Sequence, residues 1–152
     1  MSFYDWMLAL HLLSVFAVAA SLVLFSALVV VGRRMSTLEE TTLVFRLGRV
    51  GGPLNGVGMG LALAFGIILA LKSSDFEIWN GWIIIAFVLW ALVGAIGGWT
   101  GSYYTAAQRL ADEGKEAEVI ERLKAPYGAV LHIVTWILFV LLLLDMIFKP
   151  GA

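Results

Sequence analysis

Long stretches without charge alternate with shorter charged stretches along this chain. Four runs contain no Asp, Glu, Lys or Arg: 27 residues between Asp5 and Arg33, 22 between Arg49 and Lys72, 31 between Glu77 and Arg109, and 20 between Lys124 and Asp145. A helix needs about 20 mostly apolar residues to cross the hydrocarbon core of a bilayer. Each run is therefore long enough to form one membrane-spanning helix.

The residue pattern within these runs favours helices over strands. Backbone N–H and C=O groups cannot stay unpaired in lipid, so only helices and closed barrels cross a membrane. Barrel strands alternate apolar and polar residues, which the runs Ile83–Ile85 and Leu141–Leu144 do not. The sequence predicts one all-α domain, an antiparallel four-helix transmembrane bundle with spans at about 5–31, 51–71, 79–104 and 127–148.

Positive charges set the predicted orientation of the bundle. Eight of the ten Lys and Arg residues lie in the connections at 32–50 and 105–126, whereas Lys72 and Lys149 lie on the opposite side. Because cytoplasmic loops are enriched in Lys and Arg, both connections are predicted to be cytoplasmic and both termini to lie outside. No basic residue precedes Arg33, so a cleavable signal peptide is not expected.

The first cytoplasmic connection carries a helix-start signal. Ser36 and Glu39 have the spacing of a capping box, in which each side chain bonds the backbone N–H of the other residue. The helix that follows is predicted to run to about Gly51. It should meet the second span at Pro53, where the missing N–H favours a kink.

Composition narrows the chemistry that such a bundle can carry. The chain has no cysteine, which excludes thiolate metal sites and iron–sulfur clusters. A net charge of −1 gives no indication of nucleic-acid binding. Neither a phosphate-binding glycine loop followed by Lys nor a His-Glu-x-x-His zinc motif occurs. His11 and His132 are the only histidines, so any imidazole chemistry depends on them.

His11 lies about two turns into the first predicted span. Ser14, Val18, Ser21 and Phe25 follow it at spacings of three and four, so these residues share one helix face. This face is predicted to point into the bundle. Two interpretations remain open: His11 forms a hydrogen bond to another helix, or its imidazole is an axial ligand of haem b with Ser14 beside it.

Two further polar residues are weaker candidates for the same cofactor site. His132 lies near the inner end of the fourth span, and a rise of about 1.5 Å per residue separates it from His11 by about 14 Å along the membrane normal. One haem bound by both histidines is therefore not expected. Asp145, in the last turn of that span, is interpreted either as a hydrated acid or as a partner that orients His11.

Asn55 is the polar residue of the second span. It lies at a depth similar to that of four groups on the next two spans, Thr100, Tyr103, Tyr104 and His132. It either joins helices by a hydrogen bond or forms an inner polar cluster with these groups and Arg49.

Glycines recur every four residues on the second and third spans, at Gly52, Gly56 and Gly60 and at Gly94 and Gly98. Small residues at this spacing let helix backbones approach closely. They predict close packing of the second span against the third, a homodimer interface, or space for a flat cofactor.

Several short segments carry a resemblance to a known family: Ala9–Leu13 in the first span, Pro53 to Ile67 in the second, Gly81–Trp82 at the start of the third, and Asp145–Gly151 from the last turn of the fourth onwards. Over essentially its whole length the chain resembles a family of small bacterial four-helix membrane proteins of unknown function. That family is distantly similar to copper-resistance-D-like proteins and to the four-helix membrane protoporphyrinogen oxidases. The resemblance implies a haem-linked role for His11 and a location in the inner membrane of a bacterium.

Three functions are therefore considered. The first is a haem-b-binding, redox-related membrane protein that uses His11, and the second is a non-enzymatic subunit or assembly factor of a larger membrane complex. The third is a small transporter, which the lack of Lys, Arg or Glu within the spans disfavours.

Overall fold

A computed structural model describes residues 2–72 and 77–150 of the chain. Five helices make up most of this part: α1 (Phe3–Gly32), α2 (Leu38–Lys72), α3 (Gly81–Asp112), α4 (Glu116–Lys124) and α5 (Pro126–Phe148). No strand occurs among these residues, so the all-α prediction is confirmed for them. Within the same residues, α1, α2, α3 and α5 are each long and apolar enough to cross a membrane, which confirms the predicted number of membrane-length helices.

Local sequence signals account for several helix ends. Ser2 Oγ accepts a hydrogen bond from the N–H of Asp5 at 3.1 Å, and Asp5 Oδ2 accepts one from the N–H of Ser2 at 2.7 Å. This reciprocal pair starts α1. Gly114, two residues after α3 ends, has a φ of +73°, a conformation that costs little only for glycine. Pro126 occupies the first turn of α5, where a backbone N–H would have no acceptor within the helix, so its absence costs little.

The second long helix is continuous from Leu38 to Lys72. The expectation that a separate helix ends near residue 51 is therefore wrong. Pro53 lies inside α2, where it removes one backbone donor. Ending the helix there would instead leave several backbone groups without partners next to lipid, which costs more than one lost hydrogen bond.

The start of α2 is capped one residue later than the sequence predicts. The helix start is capped by the side chain of Glu40 rather than that of Glu39. Glu40 Oε2 accepts hydrogen bonds from the N–H groups of Ser36 at 2.9 Å and Thr37 at 3.4 Å. Thr37 Oγ1 in turn accepts from the N–H of Glu40 at 3.4 Å. The same reciprocal chemistry is used, but Thr37 takes the place assigned to Ser36.

The long helices pack as two pairs. α1 lies along α2 and α3 lies along α5, whereas the contacts between the two pairs are fewer. One apolar cluster includes Val119 and Leu123, the buried side chains of α4. A second cluster consists of Val18, Leu22, Met59, Val93 and Phe139. Many large apolar side chains outside these clusters are exposed, as expected where helices face lipid rather than water.

Candidate functional site

α1 and α2 meet along a seam of small residues. Six α2 positions spaced by three or four residues contact α1: Gly48, Gly51, Asn55, Gly58, Ala62 and Gly66. The α1 side of the seam contains the stripe that begins at His11 and was predicted to face the interior of the bundle. Because five of the six α2 residues are Gly or Ala, no large α2 side chain separates the two helices.

Gly58 marks a close approach within this seam. A Cβ atom at Gly58 would lie 3.0 Å from Val18 Cγ2, 3.1 Å from the Ser14 carbonyl oxygen and 3.2 Å from the Val18 nitrogen. Two of these three neighbours are backbone atoms of α1, so they cannot move without moving the helix. Sequence reasoning missed Gly58, although the three-and-four spacing of small residues along α2 would have revealed it.

The glycines singled out from the sequence lie on another face of α2. Gly52, Gly56 and Gly60 are exposed, and a Cβ atom on any of them would meet nothing within 4 Å. The expectation that they pack α2 closely against α3 is therefore wrong. The physical reason is that α1 offers a complementary stripe to the neighbouring face of α2, which carries its own small residues.

His11 is held against α2 by a hydrogen bond. Its Nδ1 lies 2.9 Å from the carbonyl oxygen of Ala62, and its ring passes close to Gly66, where a Cβ atom would lie 3.2 Å from His11 Cε1. A carbonyl oxygen only accepts, so Nδ1 carries the hydrogen and donates it. In this neutral tautomer, Nε2 keeps its lone pair.

The other polar side chains of the α1 stripe form hydrogen bonds within α1 or across the seam to α2. Ser14 Oγ donates to the Leu10 carbonyl at 2.7 Å, which places the hydroxyl in its own helix rather than on His11. Ser21 Oγ lies 3.0 Å from Asn55 Oδ1 and donates to it or to the Val18 carbonyl at 2.7 Å. Asn55 therefore links α2 to α1 through a hydrogen bond with Ser21.

The inner polar cluster predicted around Asn55 does not form. Thr100 donates to the Ile96 carbonyl within its own helix at 2.9 Å, and Tyr103 OH donates to the Arg122 carbonyl at 2.8 Å. These groups lie on α3, whereas Asn55 faces α1. The sequence indicated a similar depth for these groups, but their side chains bond to different helices.

Arg49 also has a partner other than Asn55. With the Gln108 amide turned so that Oε1 faces Arg49, this oxygen accepts from Nε at 2.9 Å and from Nη2 at 2.8 Å. The orientation of the amide is assigned from these donors. The pair bridges α2 and α3 beside a cleft that Gly52 and Tyr104 also line.

His132 belongs to a separate network between α1 and α5. Its Nε2 lies 2.8 Å from Ser26 Oγ, and Trp136 Nε1 donates to the same oxygen at 3.0 Å. Ser26 Oγ also lies 2.9 Å from the Leu22 carbonyl, to which it can donate its single hydrogen. With that hydrogen donated to the Leu22 carbonyl, the hydroxyl accepts from both His132 Nε2 and Trp136 Nε1. Ser26 was not among the candidate residues indicated by the sequence.

The structure does not bring the two histidines together. Ser26 contacts His132 and follows His11 by 15 residues on α1. At about 1.5 Å per residue this is about 22 Å along the helix, more than the sequence alone indicates. A single haem bound by both histidines is incompatible with this arrangement.

Asp145 is buried in the last turn of α5 with only 6% of its surface exposed. Neither carboxylate oxygen has a hydrogen-bond partner in the described part of the chain. The interpretation that Asp145 orients His11 is therefore wrong in this structure, because His11 Nδ1 bonds Ala62 instead. Burial also contradicts the alternative of a freely hydrated acid.

Chemically, the seam offers one imidazole nitrogen and no preformed metal centre. Among residues 2–72 and 77–150, no group of three or more His, Asp or Glu side chains is placed to hold a metal ion. His11 Nε2 can serve as a single ligand to a metal whose other ligands come from a cofactor. No family model, curated protein or solved structure matches this chain in the comparisons with known proteins.

Proposed function

We propose that this protein is a haem-b-binding, redox-related protein of the bacterial inner membrane, in which Nε2 of His11 would bind the haem iron. The observation that carries this proposal is the 2.9 Å hydrogen bond from His11 Nδ1 to the Ala62 carbonyl. Histidines that bind metals commonly donate their second ring N–H to a carbonyl or carboxylate, which fixes the ring and its tautomer.

The residues around His11 are compatible with such a role. Gly66 places no side chain against the ring, and Ala62 contributes only its backbone oxygen to the contact. The imidazole is partly rather than fully buried, so the ring is not sealed within the seam. When bound, haem would supply a one-electron redox centre, while the chain supplies Nε2 and the bond that orients it.

A haem-loading experiment tests this proposal. Purified full-length protein in detergent, supplied with haem, is expected to develop a Soret absorption band. His11→Gln should lose the band, because glutamine can still donate to the Ala62 carbonyl but does not provide an imidazole nitrogen. His132→Gln is the matched control and should keep the band. A wild-type protein without the band would contradict the function, and retention of the band in His11→Gln would contradict the ligand.

The proposed arrangement is an antiparallel bundle with both termini outside. Contacts along the helices support it: His11 lies against Ala62, and Phe25 lies against Gly51. Residue numbers thus rise along α1 as they fall along α2. The orientation rests on the Lys and Arg distribution. Because the chain has no cysteine, single cysteines introduced at exposed positions 36 and 113 should react with an impermeant maleimide only in opened cells. Labelling of these positions in intact cells would show that the protein has the opposite orientation.

A second candidate function is that of a non-enzymatic subunit or assembly factor of a larger membrane complex, with a homodimer as the other possible use of the same surface. The exposed face formed by Gly52, Gly56 and Gly60 favours it, because a Cβ atom there meets nothing within 4 Å and a second helix can approach. The alternative face at Gly94 and Gly98 is less suitable. Gly94 already faces Met59 Cε, 3.5 Å from its Cβ position.

Chemical cross-linking tests the subunit function. Gly56→Leu should abolish a cross-linked dimer or release a partner that co-purifies, whereas Gly98→Leu should not. Monomeric wild-type protein without any stoichiometric partner in mild detergent would contradict this candidate.

A further inference from the structure

Asp145 is the only acidic residue of α5 and lies three residues before the helix ends at Phe148. It is 6% exposed, and both of its carboxylate oxygens lack hydrogen-bond partners in the described residues. Buried polar groups nearly always have partners, so such an exception requires an explanation. Ionisable residues within membrane helices commonly mark functional sites.

The charges around Asp145 do not neutralise a carboxylate. Asp145 takes part in no ion pair within 4 Å among residues 2–72 and 77–150. Lys149 lies one turn further along α5, and its Nζ is 5.5 Å from the centre of the Trp82 ring. α3, which packs against α5, carries no titratable side chain between its start and Tyr103.

The second helix that contacts α5 is α1, which contributes His11, Tyr4 and Asp5 as its titratable groups. Ser26 contacts both His132 and Trp136, and from this register Asp145 lies level with about residue 15 of α1. His11 is then about 6 Å nearer the helix end, and its Nδ1 is already bonded to Ala62.

An ionised carboxylate buried without a partner costs several kcal/mol. A carboxylic acid that holds a proton avoids most of this cost. We propose that Asp145 is a proton-binding site, whose carboxyl group is protonated in the resting protein and exchanges its proton with the water at the nearby end of α5. This inference is independent of haem binding and goes beyond the proposed function.

Access to the site is from one side only. Asp145 lies about 4.5 Å from the end of α5, close enough for water to reach it by small side-chain movements. In the other direction, Phe139 belongs to the apolar cluster with Val18, Leu22, Met59 and Val93. This cluster separates Asp145 from the rest of the bundle interior. The proton is therefore exchanged at the face where α5 ends.

Labelling with dicyclohexylcarbodiimide tests the proposal, because this apolar reagent adds the O–H of a protonated carboxylic acid across one C=N bond and leaves carboxylates unmodified. Full-length protein in detergent micelles is treated between about pH 6 and pH 8, where an ordinary Asp side chain, with a pKa of about 3.9, is ionised. Mass spectrometry should find one adduct per chain at Asp145. Asp5, which is exposed and accepts from the Ser2 N–H, is the internal control and should stay unmodified.

Two variants separate a lost site from a lost fold. Asp145→Asn should remove the adduct, and Asp145→Glu should restore it on a folded protein. As a readout that needs no reagent, the infrared band of a protonated carboxyl C=O should be present in the wild type and absent in Asp145→Asn. Absence of both adduct and band at about pH 6 in folded wild-type protein would overturn the proposal. Protection of Asp145 by sodium or potassium chloride at constant pH would also overturn it, because the occupant would then be a metal cation.

Discussion

The seam between α1 and α2 makes a sharp prediction about Gly58 and Gly56, which lie two residues apart on the same helix. A Cβ atom at Gly58 would meet the Ser14 oxygen at 3.1 Å and the Val18 nitrogen at 3.2 Å, whereas at Gly56 it would meet nothing within 4 Å. Ordinary van der Waals contact begins near 3.4 Å. Gly58→Ala therefore forces α1 away from α2 by a few tenths of an ångström, and Gly56→Ala does not.

The magnitude follows from comparing the two variants. Replacing Gly by Ala inside a helix stabilises it by about 0.8–1.0 kcal/mol through helix propensity alone, and this gain is common to both. Inserting a methyl group into a well-packed contact costs about 1–3 kcal/mol. The difference in unfolding free energy between Gly56→Ala and Gly58→Ala should therefore be about 1–3 kcal/mol, with Gly58→Ala the less stable.

Reversible unfolding in mixed detergent micelles, followed by circular dichroism, measures this difference. Since the propensity gain cancels, the comparison isolates the collision at the seam. Equal stability of the two variants within about 0.5 kcal/mol, which is the usual effect of a neutral surface substitution, would refute the close approach of α1 to Gly58.

Three further predictions concern other contacts. Ser26→Ala should cost about 1–3 kcal/mol of stability, because His132 and Trp136 lose their shared partner, and it should also shift the Trp136 fluorescence. The control Ser102→Ala removes an exposed hydroxyl that bonds only the Trp99 carbonyl and should leave thermal unfolding unchanged. Equal effects of the two substitutions would refute the network around Ser26. Gly128→Ala should have a lower melting temperature than Gly101→Ala. A Cβ atom at Gly128 would lie 2.8 Å from Tyr103 Cε1 and from Tyr104 OH, whereas a Cβ atom at Gly101 would meet nothing within 4 Å. The reverse order of melting temperatures would show that the two tyrosines do not pack against Gly128. Glu113 raises the pKa of the Lys115 side chain by hydrogen bonding. Because this 2.8 Å ion pair is exposed to water, which screens the two charges, Lys115→Ala should leave thermal unfolding unchanged; a clear loss of stability would contradict its assignment as a solvated contact.

The sequence by itself determined that the chain forms four membrane-length helices. The free energy of placing a segment in lipid is close to a sum over its residues, so uncharged run length is sufficient to identify such helices. The spacing of His11, Ser14 and Val18 likewise predicted which face of α1 is turned inward, since helix geometry fixes that face. The helix end expected near Gly51 is wrong, because ending a helix beside Pro53 would leave backbone groups unpaired in lipid, which costs more than the one donor that proline lacks.

Only the tertiary structure decided which surfaces meet. α2 carries two neighbouring glycine faces, and their local sequences do not rank them; the fit to α1 selects the face with Gly58 and leaves Gly56 exposed. The partner of His11 is a backbone carbonyl, which no residue pattern encodes. Burial of Asp145 without a partner likewise depends on how α5 packs against its neighbours. Packing depends on the complementarity of two surfaces, a property that neither helix sequence contains alone.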